Sequence, residues 1–201
     1  MALRYAILGY LSSAPGSGYD LAHQLDRGLG WFWSASHSQI YPELKRLEEE
    51  GLVEGTATTV GEKLEKRIYA ITDEGLEQLK TWTAEPPRYR PNRDPERLQL
   101  IFSDLDEIEA IRRHLEVHRE RYREHAAKLR ETRDRIIARE HERVEQRLAG
   151  LSPERLDLAL LLRDLAYSGD LERAEHEVTW ATAALERLEK HAAEFSELAE
   201  R

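Results

Sequence analysis

Apolar residues in the first quarter of the chain recur at the spacing of a helix face. The segments LRYAILGYLSSAPG and SGYDLAHQLDRGLG each carry one apolar stripe and end in Pro-Gly or in glycines, which predicts two short helices. A third stripe, formed by Ile40, Leu44 and Leu47, predicts a helix that begins at the S-x-x-Q capping box of Ser36. Gly51 is expected to end this helix, because glycine tolerates a positive φ.

The pattern then changes to that of strands. Residues 52–60 and 65–72 are rich in β-branched residues and partly alternate, which predicts a β-hairpin with a charged tip. Thr72 is the predicted N-cap of a fourth helix that has acidic residues in its first turn. Three helices, a hairpin and a helix are the element order of a winged helix-turn-helix domain.

In the second half, apolar residues repeat every seven positions, which is typical of long helices that pack along one another. One series predicts a helix from about 106 to 149, and Ser152-Pro153 is expected to start the next helix. Residues 156–167 are apolar on most sides and are expected to be buried. Gly169-Asp170 is expected to separate them from a final helix. The first series consists of Ile108, Leu115, Tyr122, Leu129 and Ile136.

The final helix carries two seven-residue series, and such a seam needs a partner helix. The long helix can supply the partner within one chain, but a two-chain assembly would bury more. The two series are Leu171, Val178, Leu185 and Ala192, and Ala174, Ala181, Leu188 and Phe195. If the partner helix belongs to a second chain, the residues expected to mediate dimerisation are Leu171, Val178, Leu185, Leu188 and Phe195.

Together these patterns predict a mostly α-helical fold. Residues 1–86 are expected to form a winged helix-turn-helix with a β-hairpin wing. Residues 96–201 are expected to form a C-terminal domain of long helices, which would be a dimerisation domain if the partner helix belongs to a second chain. Four of the seven prolines lie within residues 84–95, so residues 87–95 are the predicted linker.

Composition narrows the function classes. The 201 residues include no cysteine, which excludes disulfides, thiolate zinc sites and cysteine nucleophiles. No apolar segment has the length of a secretory signal core or a membrane span, so we expect a cytoplasmic protein without a membrane partner. The formal net charge of −9 opposes general attraction to phosphate, but it does not exclude a local basic face.

The sequence carries no enzyme signature. A glycine-rich phosphate loop, a G-x-S-x-G elbow and an H-E-x-x-H motif are all missing from it. His114 and His118 have the spacing of two metal ligands on a helix, and His125 lies seven residues further on, but no third ligand is fixed by spacing. We therefore predict no metal, no cofactor and no enzymatic activity.

The third helix has a polar face opposite its apolar stripe. This face, placed at about 100° per residue, consists of Ser38, Gln39, Tyr41, Pro42, Lys45 and Arg46. The glutamates of the helix are concentrated at its far end, which suits a recognition helix whose N-terminal half enters the major groove. An ordinary solvated helix face has the same pattern. Pro42 breaks a local rule, because it lacks the N–H that its position needs, and rule-breaking of this kind is expected at functional sites.

Two further features have alternative interpretations. Lys63, Lys66 and Arg67 near the hairpin tip suit a wing on DNA, or the charged edge that small hairpins use against strand pairing. The aromatic run Trp31, Phe32 and Trp33 either anchors the N-terminal domain on the C-terminal helices or lines a pocket for a small hydrophobic effector.

These residues resemble the PadR family of bacterial transcriptional regulators, in the branch with a long helical, virulence-activator-type C-terminal domain. The resemblance lies in LGYLSSAPGSGYDLAHQL, GWFWSASHSQIYPELKRLEEEGLV and RIYAITDEGLEQLKTW. It implies a winged-helix domain that binds double-stranded DNA, a homodimer held by C-terminal helices, and repression relieved by a small effector. The residues that it implies for DNA binding are Tyr19, Ser36, Ser38, Gln39, Tyr41, Lys45 and Arg46, with Lys66 and Arg67 on the wing.

Two other functions fit the same sequence. A helical interaction module could use the winged helix to bind a protein partner, as the net charge suggests. A metal- or ligand-gated sensor is compatible with the DNA-binding hypothesis.

Overall fold

The structure is a computed structural model that describes residues 2–27, 37–60, 64–87 and 93–199. Two compact units can be distinguished. The first unit comprises α1 (Ala2–Leu11), β1 (Gly16–Ser17), α2 (Gly18–Arg27), α3 (His37–Glu49), β2 (Val53–Val60), β3 (Leu64–Ile71), α4 (Asp73–Ala84) and α7 (Glu142–Leu148). The second unit comprises α5 (Pro95–Ile101), a 3-10 turn (Ser103–Leu105), α6 (Ile108–Ile137) and α8 (Pro153–Ala199).

The core of the first unit is built from the helical stripes of the sequence. The predicted stripe of α3 is confirmed, because Ile40, Leu44 and Leu47 are all fully buried. The other large side chains buried with them are Ile7, Leu8, Leu11, Leu21, Leu52, Val53, Tyr69 and Leu79. Since α1, α2 and α4 supply the other walls of this core, the opposite face of α3 remains at the surface.

The end of α3 is the predicted one. Gly51 has a φ of 73°, and the N–H groups of Gly51 and Leu52 donate to the carbonyls of Glu48 and Leu47. This is a Schellman motif, which needs a left-handed residue at the position of Gly51. Thr72 caps α4 by accepting from the N–H of Gly75, as predicted.

The sheet contains the predicted hairpin and one unpredicted strand. β2 and β3 pair antiparallel from Val53 opposite Ile71 to Val60 opposite Leu64. The two residues of β1 add to the other side of β3, with Gly16 opposite Tyr69, and the strand order is β1-β3-β2. A strand of two residues has too little pattern to be recognised in sequence. It attaches the start of α2 directly to the wing.

In the second unit, α6 and α8 pack along each other within one chain. Leu115, Leu129 and Ile136 of α6 are buried, and so are Ala174 and Ala181 of α8. Both predicted seams are therefore confirmed as packing surfaces. Polar contacts join the same two helices: Arg133 forms an ion pair with Asp164, and His118 Nε2 lies 3.1 Å from a carboxylate oxygen of Glu177.

The prediction of one helix from 106 to 149 is wrong. α6 ends at Ile137, and Arg139 adopts a left-handed φ of 61°. The N–H groups of Arg139 and Glu140 donate to the carbonyls of Ile136 and Arg135, so the end is a Schellman motif with arginine in place of glycine. The apolar series also stops at Ile136, because the next position of the series, 143, is arginine.

The predicted break at Gly169-Asp170 is also wrong, because α8 continues through it as one helix of 47 residues. A glycine inside a helix costs only about 1 kcal/mol relative to alanine. Tyr167 and Leu171 on either side are both buried, and burial of one such side chain contributes about 1.5–3 kcal/mol. The packing of this stretch therefore outweighs the local penalty.

The short helix α7 belongs to the first unit, although it lies between α6 and α8 in sequence. Leu148 is buried, and one guanidinium nitrogen of Arg147 donates to the carbonyl of Gly9 at 2.6 Å and to the Ser12 hydroxyl at 3.0 Å. Arg147 thereby caps the C-terminal end of α1, where helix carbonyls lack partners and the dipole favours a cation.

The expected burial of residues 156–167 is wrong for the single chain. Four leucines remain exposed by 42–58%: Leu158, Leu161, Leu162 and Leu165. Their spacing of three and four residues places them in one stripe along α8. Because α6 packs on another face of α8, this stripe stays at the surface of the described part of the chain.

Candidate nucleic-acid interface

The outer face of α3 is polar, cationic and accessible. Ser38, Gln39, Tyr41, Pro42, Lys45 and Arg46 are all exposed. The Lys45 side chain is 79% exposed, and its ammonium lies 3.7 Å from a carboxylate oxygen of Glu49. Arg46 donates to Glu43 at 2.9 Å. The Lys45 pair is exposed on both sides and therefore weak, so Lys45 can exchange its carboxylate for a phosphate at small cost. In the Arg46 pair the guanidinium is exposed, but the Glu43 side chain is only 15% exposed.

Two exposed tyrosines lie on the helices of the helix-turn-helix. Tyr19 of α2 and Tyr41 of α3 are 63% and 49% exposed. The Tyr41 ring lies directly against the backbone of Gly18, where an added Cβ would come within 2.5 Å of it. Glycine at this position therefore lets the start of α2 approach α3, and it accounts for the Gly-Tyr pair in the sequence.

The cations of the wing are paired with acids on the helices. Lys66 lies 3.1 Å from the Asp20 carboxylate on α2, and Arg67 donates to Glu48 at the end of α3. Partial burial alone would raise the pKa of Asp20, but hydrogen bonds from Ser17 and the charge of Lys66 outweigh it and lower that pKa. Asp20 is therefore ionised at neutral pH and can form an ion pair with Lys66.

Sequence reasoning missed both acids. The S-x-x-D spacing of Ser17 and Asp20 is a visible cap signal, and in the structure the Asp20 N–H does donate to the Ser17 hydroxyl. Glu48 gave no such signal, because its partner Arg67 is 19 residues away in another element.

Several predicted site residues lie outside what the structure describes. These are Trp31, Phe32, Trp33 and Ser36, together with Lys63 of the wing tip. The side chain of Phe195 is not described either.

The residues predicted to mediate dimerisation are used within one chain. Leu171 and Leu185 are buried, and Val178 and Leu188 are partly buried, in the helix pair of α6 and α8. Dimerisation through these side chains stays a prediction.

Two of the three candidate histidines lie in polar contacts between α6 and α8, and the third, His114, is exposed on α6. His118 contacts Glu177, and His125 lies 3.5 Å from Asp170. In the parts of the chain that the structure describes, no three His, Cys, Asp or Glu side chains are grouped to hold a metal. Within the same residues, no helix is both long and apolar enough to cross a membrane.

Comparison with known proteins relates this chain to a family of transcriptional regulators. The model of the family described as "Transcriptional regulator PadR-like family" matches residues 7–81. The crystal structure of Bacillus subtilis PadR in complex with operator DNA has a TM-score of 0.74 and 30% identity, over 94% of this chain and 99% of that chain. The chain belongs to the PadR-like family of transcriptional regulators.

Two curated transcriptional regulators match less than half of the chain. The chain is 51% identical over 80 residues to the negative transcriptional regulator PadR of Bacillus subtilis, and 43% identical over 86 residues to a probable transcriptional regulator of Mycobacterium tuberculosis. These matches cover 40% and 43% of this chain, and 44% and 46% of those relatives, so the matched part spans about half of their length. Both are named as regulators, in agreement with the prediction that the chain is not an enzyme.

Two other solved structures match at least 90% of the chain, including the C-terminal helices. The Vibrio cholerae virulence activator AphA has a TM-score of 0.53 and 28% identity, over 90% of this chain and 99% of that chain. Bacillus subtilis PadR in complex with p-coumaric acid has a TM-score of 0.65 and 26% identity, over 93% and 95%. The predicted winged helix with long C-terminal helices, and the resemblance to the virulence-activator branch, are thus confirmed.

Proposed function

We infer that this PadR-like protein is a homodimeric repressor that binds a pseudo-palindromic DNA operator and is released by a small effector. The observation that carries the proposal is α3. One face of this helix is fully buried in the core, and the opposite face presents Tyr41, Lys45 and Arg46 to solvent. Burial of one face fixes the helix, so the other face can enter a major groove as a rigid body.

The cations of this face have the reach that DNA contacts need. Lys45 and Arg46 follow the polar N-terminal half of α3 and can bond phosphates or guanine edges. Ser38, Gln39 and Tyr41 lie in that first half, and Tyr19 projects from the preceding helix. Ser36 stays part of the proposal from sequence. Lys66 and Arg67 of the wing also stay part of it, either by contacting DNA or by positioning the wing through their acidic partners Asp20 and Glu48.

The exposed leucines of α8 support the homodimer. Leu158, Leu161, Leu162 and Leu165 form a two-turn apolar stripe that is exposed among the residues that the structure describes. A stripe of this kind on a helix marks an interaction surface. In a two-fold dimer the same stripe contributes from both chains, and the two recognition helices then face two DNA half-sites.

The p-coumaric acid complex of Bacillus subtilis PadR supports relief by an effector, since in it a PadR relative binds a small aromatic acid. We extend this to a small, mainly hydrophobic effector here, with Trp31, Phe32 and Trp33 as either its pocket or a domain anchor. Because its target is chromosomal DNA, we place the protein in the cytoplasm.

A gel-shift titration tests the proposal. DNA from upstream of the protein's own gene should shift at protein concentrations at which a random duplex of equal length does not, and excess random duplex should not reverse the shift. Adding p-coumaric acid as a first probe should release the DNA if the effectors are alike. No sequence-selective shift would contradict DNA regulation and favour the protein-interaction module.

A further inference from the structure

One carboxylate ties the recognition helix to both strands of the wing. Glu48 lies in the last turn of α3, and the same oxygen accepts from the Gly55 N–H of β2 at 2.9 Å and from the Arg67 guanidinium of β3. An acid in the last turn of a helix opposes the helix dipole. These two bonds, which reach out of the helix, offset that disadvantage.

The hairpin is shaped to receive this carboxylate. Gly55 and Tyr69 are paired across β2 and β3, and a Cβ at Gly55 would collide with Arg67 Nε and lie 2.6 Å from Glu48 Oε1. The Glu48–Arg67 ion pair therefore packs directly against the backbone of Gly55, where a side chain would not fit. The Arg67 guanidinium also lies over the Tyr69 ring, 5.8 Å from its centroid, which holds it on the hairpin.

Lys66, next to Arg67 in β3, forms an ion pair on the opposite face of the strand. Consecutive side chains of a strand point to opposite faces, and Lys66 pairs with Asp20 of α2 while Arg67 pairs with Glu48 of α3. The central strand β3 is thus tied to both helices of the helix-turn-helix. Each of these two wing cations already has an acidic partner within the protein.

We propose that Glu48 is a positioning residue for DNA recognition, which fixes the wing against the recognition helix through Gly55 and Arg67. Arg67 then acts as an internal strut instead of a phosphate contact. The proposal rests on the proposed DNA-binding function and deepens it by naming the residue that sets the orientation of the wing relative to the recognition helix.

The direction in which Glu48→Ala changes DNA affinity distinguishes the positioning role from a purely electrostatic effect. Glu48→Ala removes a negative charge close to the DNA face, so electrostatics alone predicts tighter DNA binding. The positioning role predicts the opposite, a loss of roughly threefold to tenfold in affinity for the selected sequence, as expected for a lost charged hydrogen bond. Glu49→Ala is the matched control, because Glu49 lies on the same turn and pairs only weakly with Lys45 at 3.7 Å.

Two further variants test the role of Arg67 and the close packing of the ion pair against Gly55. Arg67→Met should weaken binding to the selected sequence but leave the salt dependence unchanged. If Arg67 instead contacts a phosphate, the slope of log affinity against log salt should fall in magnitude by about 0.9 per contact. Gly55→Ala should reproduce the Glu48→Ala loss, because its Cβ would lie 2.4 Å from Arg67 Nε and 2.6 Å from Glu48 Oε1, closer than its 3.0 Å to the buried Tyr69 ring. Thermal melts of this variant should show that the fold persists.

The probe is a duplex that the wild-type protein enriches from a random-sequence pool, followed by fluorescence anisotropy at several KCl concentrations. Unchanged or tighter binding by Glu48→Ala, or a reduced salt slope in Arg67→Met, overturns the proposal. Amide hydrogen exchange without DNA gives an independent readout: Gly55 should exchange faster in Glu48→Ala than in Glu49→Ala, and equal rates also overturn it. If the wild type enriches no sequence, the proposed function fails, and the exchange result still decides whether Glu48 holds the wing.

Discussion

Replacing Arg147 with alanine should release α7 from the first unit. Arg147 makes three contacts with the end of α1: the Gly9 carbonyl at 2.6 Å, the Ser12 hydroxyl at 3.0 Å and the Ser13 hydroxyl at 3.3 Å. The first is the shortest, and it joins a cation to a helix-end carbonyl. A hydrogen bond to a charged group contributes about 1.5–3 kcal/mol when buried.

Arg147 keeps contact with solvent, although burial is enough to lower the pKa of its guanidinium. That energy range must therefore be reduced for solvent screening. We expect a loss of about 1–2 kcal/mol, of which the contact with Gly9 supplies most. At about 1.4 kcal/mol per factor of ten, amides of α7 and of the last turn of α1 should exchange roughly fivefold to thirtyfold faster. The exchange of α3 should not change, since its core contacts are untouched.

Hydrogen exchange followed by mass spectrometry or NMR measures this effect. Gln146→Ala is the matched control, because position 146 is exposed on the same helix. Faster exchange in Arg147→Ala at α7 and at the end of α1, but not in the control, supports the capping role. Equal exchange in the two variants would refute the reasoning that Arg147 docks α7.

Three further predictions address the DNA face, the C-terminal helix pair and the dimer. Lys45→Ala should reduce the salt slope of operator binding by about 0.9 per protomer, as measured by anisotropy; Lys80→Ala on α4, which pairs with Glu77 at 2.6 Å, is the control and should leave the slope unchanged. Partial burial alone would raise the pKa of Glu177, but hydrogen bonds from Arg97 and His118 lower it below its ordinary value of 4.5. The stabilisation that the ionised Glu177 gives to the folded state is therefore present above pH 4.5 and is lost as pH falls through the lower folded-state pKa. In urea titrations, Glu177→Gln should lose less stability on acidification than the wild type or the control Glu186→Gln. Leu162→Glu should convert the dimer to monomer in light scattering while circular dichroism stays helical, and an intact dimer would remove the α8 stripe from the interface.

Local signals explain what the sequence predicted correctly. The α3 stripe, the end at Gly51 and the cap at Thr72 each depend on residues within one or two turns, and the structure contains all three. The end of α6 depends on a Schellman motif that has Arg139 where glycine is usual, so its signature is absent from the sequence. At Gly169 the local signal was present, but packing between α6 and α8 overrides it.

The candidate site divides in the same way. The polar face of α3 follows from helical periodicity, so the sequence alone places Lys45 and Arg46 at the surface. The ion pairs of Lys66 and Arg67 could not be predicted, because Asp20 and Glu48 are brought to them by tertiary packing across many residues. The exposed stripe at Leu158 and Leu162 could not be distinguished from core either, since apolar spacing does not tell which of two faces meets a partner.

The central claim is that two copies of α3 read DNA as a symmetric pair. Hydroxyl-radical footprinting on a shifted upstream fragment tests it most directly. The account predicts two protected blocks related by a dyad, with centres about one helical turn or a multiple of it apart, and loss of both blocks in Lys45→Ala. A single unpaired block, protection without fixed spacing, or no protection at concentrations that leave random DNA unbound would contradict it.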